Sequence, residues 1–382
     1  MSGGPDASLA SCLDNEVLAA FSDNEALAAF PDNEALASGP AQARLMVWLG
    51  HPYFHAAMRH FGWRVIYRPC PPGTVLSWDD ILSLTNGRIP DAVVAADFSG
   101  PPFLLGTENF PCLTVFYSVD THIHSWHPAY AQGFDLCLVS LPDHVRDFYT
   151  GRLRPEWIIW SPPYAPDKTE HYRDLAHIDK EWDLLFVGTV NPDLNPVRCS
   201  FLTEAKKYLP GLHITTGDFD ALFPKARLVL NECTRGELNF RIFEALGSGA
   251  CLLTPDIGPA LTDLFTDGKE LALYPAYNVQ ALVERAEALL RDDARRAAIA
   301  AAGLAAVDAG HRASHRALAL ASRLHDLAAS GTGAAMIAAR QRMAGEIFRT
   351  VLRPLYLHHA ESIGIEALRV AYLKAATAKI VV

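Results

Sequence analysis

The feature that most constrains the fold is an alternation of short, uninterrupted apolar runs with longer amphipathic stretches, beginning near Arg44. The first series contains RLMVWLG, WRVIY, DAVVAAD, CLTVFYSVD and FDLCLVS, and a second contains WDLLFVGTV, LHITTG, ARLVLNEC and ACLLTPD. Runs that are apolar throughout are typical of parallel strands covered by helices on both faces of a sheet. The sequence therefore predicts an α/β protein with two successive Rossmann-like domains, facing each other across a cleft at the carboxyl ends of their strands.

The chain divides into five predicted parts. They are an extension at 1–40, an N-terminal Rossmann-like domain at 41–165, a Pro-rich and then polar linker at 166–181, a C-terminal Rossmann-like domain at 182–330, and C-terminal helices at 331–382. Ile365, Leu368 and Tyr372 recur at helical spacing, so the last helix should pack one face back on the body. Pro354 should break or kink the helical pattern before it.

The N-terminal extension carries a nine-residue repeat: LDNEVLAAF, SDNEALAAF and PDNEALA occupy residues 13–37. Residues 1–40 contain seven acidic residues and neither Lys nor Arg. Three such units are too few for a solenoid. We interpret the segment as disordered or partly helical and outside the fold. The alternative is a docking segment whose Leu and Phe side chains bind a partner.

Composition excludes several classes of function. The net charge is −10, and since the extension carries −7, the remaining residues carry only −3, which gives no overall basic surface for nucleic acid. There is no transmembrane run or signal peptide pattern, and the seven cysteines are scattered, so we expect a cytoplasmic protein. A P-loop, a Gly-x-Ser-x-Gly elbow and a complete dinucleotide-binding motif are all missing from the sequence.

Residues 231–258 are the most informative stretch for chemistry. A strand ends there, a polar turn follows, and a helix begins near Leu238, whose free N–H groups would suit a diphosphate. Glu244 lies about two turns into this helix, where a carboxylate can accept two hydrogen bonds from a ribose diol. Composition alone leaves Glu244 equally open to being a surface helix residue.

The run from Asn239 to Gly249 (NFRIFEALGSG) resembles the C-terminal domain of GT-B-fold glycosyltransferases, in particular the spore-maturation-protein-like (CgeB-type) family. Phe186-Val187-Gly188-Thr189, followed by Arg198, resembles the opening Gly turn of that domain, and residues 311–316 resemble its closing helix. The likeness is specific across about 182–325, looser across 44–160 and absent from 1–40.

The resemblance implies a glycosyltransferase that moves a sugar from a nucleoside-diphosphate-sugar, with UDP favoured, to a hydroxyl of a glycan or protein acceptor. It implies no required cofactor and no catalytic metal. The nucleotide-sugar would bind the C-terminal domain and the acceptor the N-terminal one. The donor-binding candidates, taken together, are Glu244, Arg241, Asn239, Gly188, Thr189 and Arg198.

Two departures from the family pattern stand out. Glu237 and Glu244 have six residues between them where many relatives have seven, so Glu244 inherits the ribose-binding role and Glu237 does not inherit the sugar-binding one. The Arg and Lys that relatives place after the first Gly turn are replaced here, so Arg241, Arg198 and Arg235 are the candidates to neutralise the diphosphate. Arg198 is equally open to being a helix-surface residue.

Candidate catalytic residues in the N-terminal domain follow an apolar strand. Asp120 and His122 open the run DTHIHSWH, and a general base near the acceptor hydroxyl can be a His or an Asp. Metal binding by the His-x-His-x-x-His pattern is the less favoured alternative, and helix capping or simple packing is another. Gly50 and His51 follow the first strand and are candidates for contact with the acceptor or the transferred sugar. The turn that begins at Asp97 gives a weaker signal of the same kind.

Two other functions stay open on the sequence. A nucleotide-sugar epimerase shares the two-lobed architecture, but it would turn over the donor without an acceptor and release no nucleotide. A non-catalytic nucleotide-sugar-binding protein would bind the donor without transferring or hydrolysing it.

Overall fold

The computed structural model describes residues 43–167 and 178–377, which form two compact units. The first unit comprises 43–161 and 317–377, and the second comprises the described part of 162–316. The N-terminal repeat and most of the predicted linker lie outside the described residues, so the expectations about the extension and its partner stay predictions. No helix within the described ranges is long and apolar enough to cross a membrane.

The first unit is built on a six-stranded sheet in which every pairing is parallel, in the order β2-β1-β3-β4-β5-β6. Its strands are β1 (Arg44–Gly50), β2 (Trp63–Arg68), β3 (Ala92–Ala96), β4 (Leu113–Ser118), β5 (Leu136–Val139) and β6 (Ile158–Trp160). Its helices within this part of the chain are α1 (Trp78–Leu84) and α2 (His127–Ala131). The residues Leu45–Leu49 of β1 are at most 2% exposed, as expected for a strand covered on both faces.

The second unit repeats the plan with five parallel strands in the order β11-β10-β9-β7-β8. The strands are β7 (Trp182–Val187), β8 (Leu212–Thr215), β9 (Ala226–Leu230), β10 (Leu252–Asp256) and β11 (Ala272–Pro275). The helices are α3 (Pro196–Tyr208), α4 (Phe219–Leu222), α5 (Phe240–Gly247), α6 (Pro259–Thr262), α7 (Val279–Arg291) and α8 (Asp293–Gly310). The predicted α/β class with two Rossmann-like sheets is confirmed.

The chain ends in α9 (Ala313–Ala329), α10 (Thr332–Ile347), α11 (Arg353–Ser362) and α12 (Glu366–Thr377). A π-helical turn at Phe348–Leu352 joins α10 to α11 directly before Pro354. The regular α-helical pattern is thus interrupted next to the proline, which removes an N–H from the helical ladder. Leu368 and Tyr372 are at most 1% exposed, so α12 does pack one face on the body, which here means the first unit.

A buried ion pair fastens the C-terminal helices to the first sheet. Arg340 of α10 contacts the carboxylate of Asp135, and both side chains are fully buried. The guanidinium also donates to the backbone carbonyl of Cys112 (3.1 Å) and to Thr114. These contacts hold both terminal nitrogens of the guanidinium within the core, so the C-terminal helices complete the first unit.

The boundary between the units falls earlier than the predicted end of the second domain at 330. Arg316 donates to the carbonyl oxygens of Pro162 (2.8 Å) and Pro163 (3.1 Å), which keeps it in the second unit. About two turns further along α9, Arg323 donates to the carbonyl of Glu156 (2.9 Å), and contacts from Ala317 onward belong to the first unit. The helix is continuous across the boundary, which is why its amphipathic pattern gives no sign of it.

Both sheets have a topological switch point, where neighbouring strands are followed by connections that run in opposite directions. It lies between β1 and β3 in the first unit and between β7 and β9 in the second. The carboxyl ends of such strand pairs are where open α/β sheets bind ligands. Each unit therefore has one candidate site.

Candidate functional sites at the two switch points

In the second unit, β7 ends in a glycine turn that has no room for a side chain. Gly188 has a φ of 156°, and a Cβ at this position would lie 2.6 Å from the Nη2 atom of Arg241 and 3.3 Å from the ring of Phe186. Glycine here satisfies an unusual backbone conformation and leaves Nη2 accessible from the turn. The backbone of β7 can thus approach a ligand closely at this point.

Arg241, on the first turn of α5, ties the ends of the two switch-point strands together. Its Nε donates to the carbonyl of Val187 (2.9 Å), and its Nη1 donates to Asn231 Oδ1 (2.9 Å) and to the carbonyl of Glu232 (3.3 Å). The guanidinium also lies over the ring of Phe186, 4.9 Å from its centroid. With Nε and Nη1 held by the protein, Nη2 is the part of the cation that remains beside Gly188.

Glu244 lies three residues further along α5, on the same face as Arg241. Burial raises the pKa of this carboxyl to about 7, the nearby Arg241 partly opposes that rise, and Asp220 reinforces it. The structure shows no hydrogen bond from the Glu244 carboxylate to any residue it describes. A partly buried carboxylate without a protein partner is suited to accept hydrogen bonds from a ligand.

Arg198 is held differently from Arg241. Its Nε lies 2.6 Å from the carboxylate of Glu232, and Nη1 lies 3.4 Å from the carbonyl of Thr189. The side chains of Arg198 and Glu232 are 13% and 3% exposed, so this pair is largely withdrawn from water. The arginine proposed to bind phosphate is thus already paired with a carboxylate, and the carbonyl of Thr189 takes part in that arrangement.

Glu237 is a member of this site that the sequence reasoning set aside. Its Oε2 atom is buried and makes no hydrogen bond. Burial, together with the nearby Glu232 charge, raises the pKa of Glu237 to about 7, while Arg198 opposes the rise. The spacing between the two glutamates gave Glu237 no sugar-binding role. In the structure its carboxyl group is buried and lies in electrostatic contact with Glu232 and Arg198.

Asn239 occupies the position before α5, but its side chain does not cap the helix. It donates instead to Asn231 Oδ1 and to the carbonyl of Glu232, both at 3.3 Å. These bonds brace the turn between β9 and α5. Because no side chain caps α5, its first N–H groups are presented at the same edge of the sheet as Gly188.

In the first unit, Gly50 ends β1 with a φ of 93° and packs directly against β3. A Cβ on Gly50 would lie 2.0 Å from the carbonyl oxygen of Ala96, so only glycine fits. The next residue, His51, is bonded through its amide to that same carbonyl at 3.3 Å. Burial lowers the pKa of His51 to about 4, and the charge of Asp97 opposes the change. His51 is therefore neutral at pH 7 and can act as a hydrogen-bond partner or a base.

Asp120 and His122 follow β4 and lie in electrostatic contact with each other. Burial and then the neighbouring carboxylate of Asp97 raise the pKa of Asp120, while His122 and Ser99 oppose the rise. The structure thus places Asp120 and His51 beside Asp97, the residue whose sequence signal was weakest, and His122 beside Asp120. The clue in the sequence was an aspartate immediately after an apolar strand.

His127 belongs to the packing of this region. Its Nδ1 lies 2.8 Å from Ser118 Oγ, and its Nε2 lies 3.8 Å from Asp97 Oδ2. The order Asp–His–Ser is that of a hydrolase triad, but Ser118 is 0% exposed, so a substrate cannot reach its hydroxyl. Burial lowers the pKa of His127 far below its usual value. Within 43–167 and 178–377, no three His, Cys, Asp or Glu side chains are grouped to hold a metal ion.

Comparison with known proteins gives a family for part of the chain and a fold for about three quarters of it. Residues 175–322 match the model of a family described as glycosyl transferase-like. No curated protein sequence matches the chain. The structure is similar to sucrose-phosphate synthase from Thermosynechococcus elongatus, with a TM-score of 0.50 and 12% identity, covering 75% of this chain and 100% of that one. A glycosyltransferase from Rickettsia africae gives a TM-score of 0.51 and 8% identity, covering 74% of this chain and 99% of that one.

The family match coincides with the second unit, where the Gly188 turn, Arg241 and Glu244 lie. The structural likenesses, at 8% and 12% identity, show a shared α/β fold with two parallel sheets and their helices. Residues 175–322 therefore form a glycosyl transferase-like domain, in a chain that has the GT-B fold.

Proposed function

We propose that the protein transfers a sugar from a nucleoside-diphosphate-sugar to an acceptor hydroxyl, in the manner of CgeB-type enzymes. The acceptor O–C bond to the anomeric carbon forms as the bond from that carbon to the diphosphate oxygen breaks. The acceptor proton passes to a base, and the nucleoside diphosphate leaves. UDP-sugars are the first donors to test, and the acceptor class is a glycan or protein hydroxyl.

The observation that carries the proposal is the pairing of Arg241 and Glu244 on one face of α5, opposite the Gly188 turn. A cationic N–H that faces a side-chain-free turn suits a diphosphate oxygen, especially beside uncapped helix N–H groups. A partly buried carboxylate one turn further along the helix suits the two hydroxyls of a ribose. The two groups thus follow the order of diphosphate and ribose in a nucleotide.

Asp120 or His122 would take the acceptor proton. In this role the raised pKa of Asp120 makes its carboxylate a stronger base than an exposed aspartate. Gly50 and His51, at the neighbouring strand end, would contact the acceptor or the transferred sugar. The reaction as proposed requires no cofactor beyond the donor.

The ion pair of Arg198 with Glu232 favours one alternative, a protein that binds nucleotide-sugar without transferring it. The pair places a carboxylate next to the region proposed for the diphosphate, so Arg198 must exchange partners before it can help neutralise the ligand. A site that stays closed in this way would bind the nucleoside well and the diphosphate poorly.

The experiment is a panel of UDP-, GDP-, dTDP- and CMP-sugars, with binding measured by calorimetry and nucleotide release measured with and without mixed glycan acceptors. The proposal expects one diphosphate-sugar to bind and to release nucleotide only when an acceptor is present. Binding without release identifies the non-catalytic alternative. Donor turnover without nucleotide release identifies an epimerase, and no binding by any nucleotide overturns the proposal.

A further inference from the structure

Asp97 is a buried carboxylate of the first unit that accepts hydrogen bonds from three backbone amides. It follows β3 directly and its side chain is 2% exposed. One oxygen, Oδ1, accepts the amide N–H of Ser99 at 2.8 Å. The other, Oδ2, accepts the amides of Val119 at 3.1 Å and Asp120 at 2.9 Å. A single buried side chain thus joins the loops that follow two neighbouring strands.

The bonds of Asp97 fix the loop that carries the proposed base. Val119 and Asp120 are the first residues after β4, so their two amides set the direction in which the Asp120 side chain leaves the strand. Ser99, held by the other oxygen, has a left-handed backbone with a φ of 60°, and its hydroxyl reaches both Asp120 and His124. Such a conformation costs energy in a residue with a side chain, so surrounding bonds must hold it.

Asp97 also acts through its charge. Its carboxylate is next to Asp120, and this neighbour favours the protonated form of Asp120. The same negative charge favours the protonated form of His51. If Asp120 takes the acceptor proton, the charge of Asp97 therefore makes it a stronger base.

We propose that Asp97 is the positioning residue of the transfer reaction, which orients the loop after β4 and with it the Asp120 side chain. The proposal rests on the proposed function for its kinetic consequences. Its structural half, the fixing of two loops by one carboxylate, holds whatever the reaction is.

The other ionisable groups around Asp97 come from three elements. His51 follows β1, and His122, His124 and His127 follow β4, with His127 Nε2 at 3.8 Å from the carboxylate. From α11, His359 interacts with His124 and His127. Burial keeps the pKa of His127 and of His359 low, that of His359 at about 3, so neither is charged in the pH range of the test.

The test is Asp97→Asn, which has the same shape but offers only one accepting oxygen and no charge. The transfer rate per bound acceptor should fall by roughly 10- to 1,000-fold, since a displacement of about 1 Å costs about 100-fold. The acidic limb of the pH profile of kcat/KM should move to lower pH by about one unit, because the charge that raises the pKa of the base is gone. Donor affinity should not change, since the donor residues lie in the other unit.

Asp91→Asn is the matched control. Asp91 accepts the amide of Leu45 at 2.7 Å, at the opposite, amino-terminal edge of the same sheet. This substitution removes a similar bond and a similar charge, and it should leave the pH profile in place. An Asp97→Asn protein whose acidic limb does not move, or moves as far as in Asp91→Asn, overturns the proposal.

Two further measurements keep the test decisive. If Asp97→Asn does not fold, Asp97→Glu retains the charge on a longer side chain, and it should lower the rate while keeping the acidic limb. If the wild-type protein transfers no sugar, the proposed function fails on its own, and amide hydrogen exchange then decides the structural half. The amides of Val119 and Asp120 should exchange at least 10-fold faster in the Asp97 variant, and unchanged exchange contradicts the inference.

Discussion

Glu244→Gln tests the donor site in two ways. A buried carboxylate that binds the donor should also destabilise the protein when no donor is bound, so the substitution should weaken donor binding and raise the stability of the empty protein. Burial raises the pKa of this carboxyl to about 7 from a usual 4.5. Between about pH 4.5 and pH 7, the folded protein therefore keeps a proton on Glu244 that the unfolded chain has lost. The resulting stabilisation is complete below about pH 4.5 and disappears as the pH rises through 7.

The magnitude follows from the same two values. A pKa of about 7 in place of 4.5 corresponds to roughly 3 kcal/mol of stability lost between pH 4.5 and pH 8. Glutamine carries no charge, so Glu244→Gln should remove this pH-dependent loss of stability. Relative to wild type, the variant should melt a few degrees higher at pH 8 and show little difference at pH 5.

The same substitution should weaken the donor. An amide can accept with only one oxygen and without charge, so about 2–3 kcal/mol of binding is lost, which is about 30- to 150-fold in Kd. Calorimetry with the nucleoside diphosphate and thermal melts at pH 5 and pH 8 measure both effects. Glu204→Gln, on the exposed surface of α3, is the matched control and should change neither. Unchanged affinity for the nucleoside diphosphate, together with an unchanged melting temperature at pH 8, would contradict both the donor role of Glu244 and the raised pKa of its carboxyl.

Three other predictions follow from particular contacts. Gly188→Ala should weaken diphosphate binding at least 10-fold, since its Cβ would meet Arg241 Nη2 at 2.6 Å, and calorimetry against Gly258→Ala, where a Cβ meets nothing within 4 Å, checks this. Arg340→Met should lower the free energy of unfolding by about 3–5 kcal/mol, because it removes the cation in closest contact with the buried Asp135 carboxylate and leaves only Arg152 at 3.4 Å. Urea denaturation measures the loss, and a loss below about 1 kcal/mol would contradict the role of this ion pair in fastening α10 to the first sheet. Diphosphate affinity should fall as the pH rises from 6 to 8, because the pKa of Glu237 is raised to about 7 and its deprotonation adds a negative charge to the site. Calorimetry at several pH values measures this. A wild-type affinity that does not change with pH, or a Glu237→Gln variant whose affinity falls as steeply with pH as that of wild type, would contradict the prediction.

The sheets were predictable from sequence because each parallel strand is buried on both faces and therefore apolar throughout. The run RLMVWLG became β1, and WDLLFVGTV became β7 followed by the Gly188 turn. A strand of this kind identifies itself within a few residues, without information from elsewhere in the chain. The helix that carries Arg241 and Glu244 was also predictable, from its local motif.

Contacts between distant residues were not predictable. Arg198 was expected to bind phosphate, but its partner Glu232 is 34 residues away and nothing near Arg198 indicates it. The pairing of Arg340 with Asp135 links residues 205 positions apart, so the sequence did not show that the C-terminal helices complete the first unit. Asp97 had only a weak sequence signal, because its proposed role depends on hydrogen bonds from three amides in two loops.

The division of donor binding and proton removal between the two units is best tested by comparing His122→Ala with wild type, using the donor that the nucleotide panel identifies. Donor binding is proposed for the second unit and proton removal for the first. The variant should therefore bind the nucleoside diphosphate with unchanged Kd by calorimetry, while transfer to the acceptor falls by about 100- to 10,000-fold. If only Asp120 is the base, Asp120→Asn should show this loss in place of His122→Ala. Full transfer activity in both variants, or loss of nucleotide binding in either folded variant, would contradict the account.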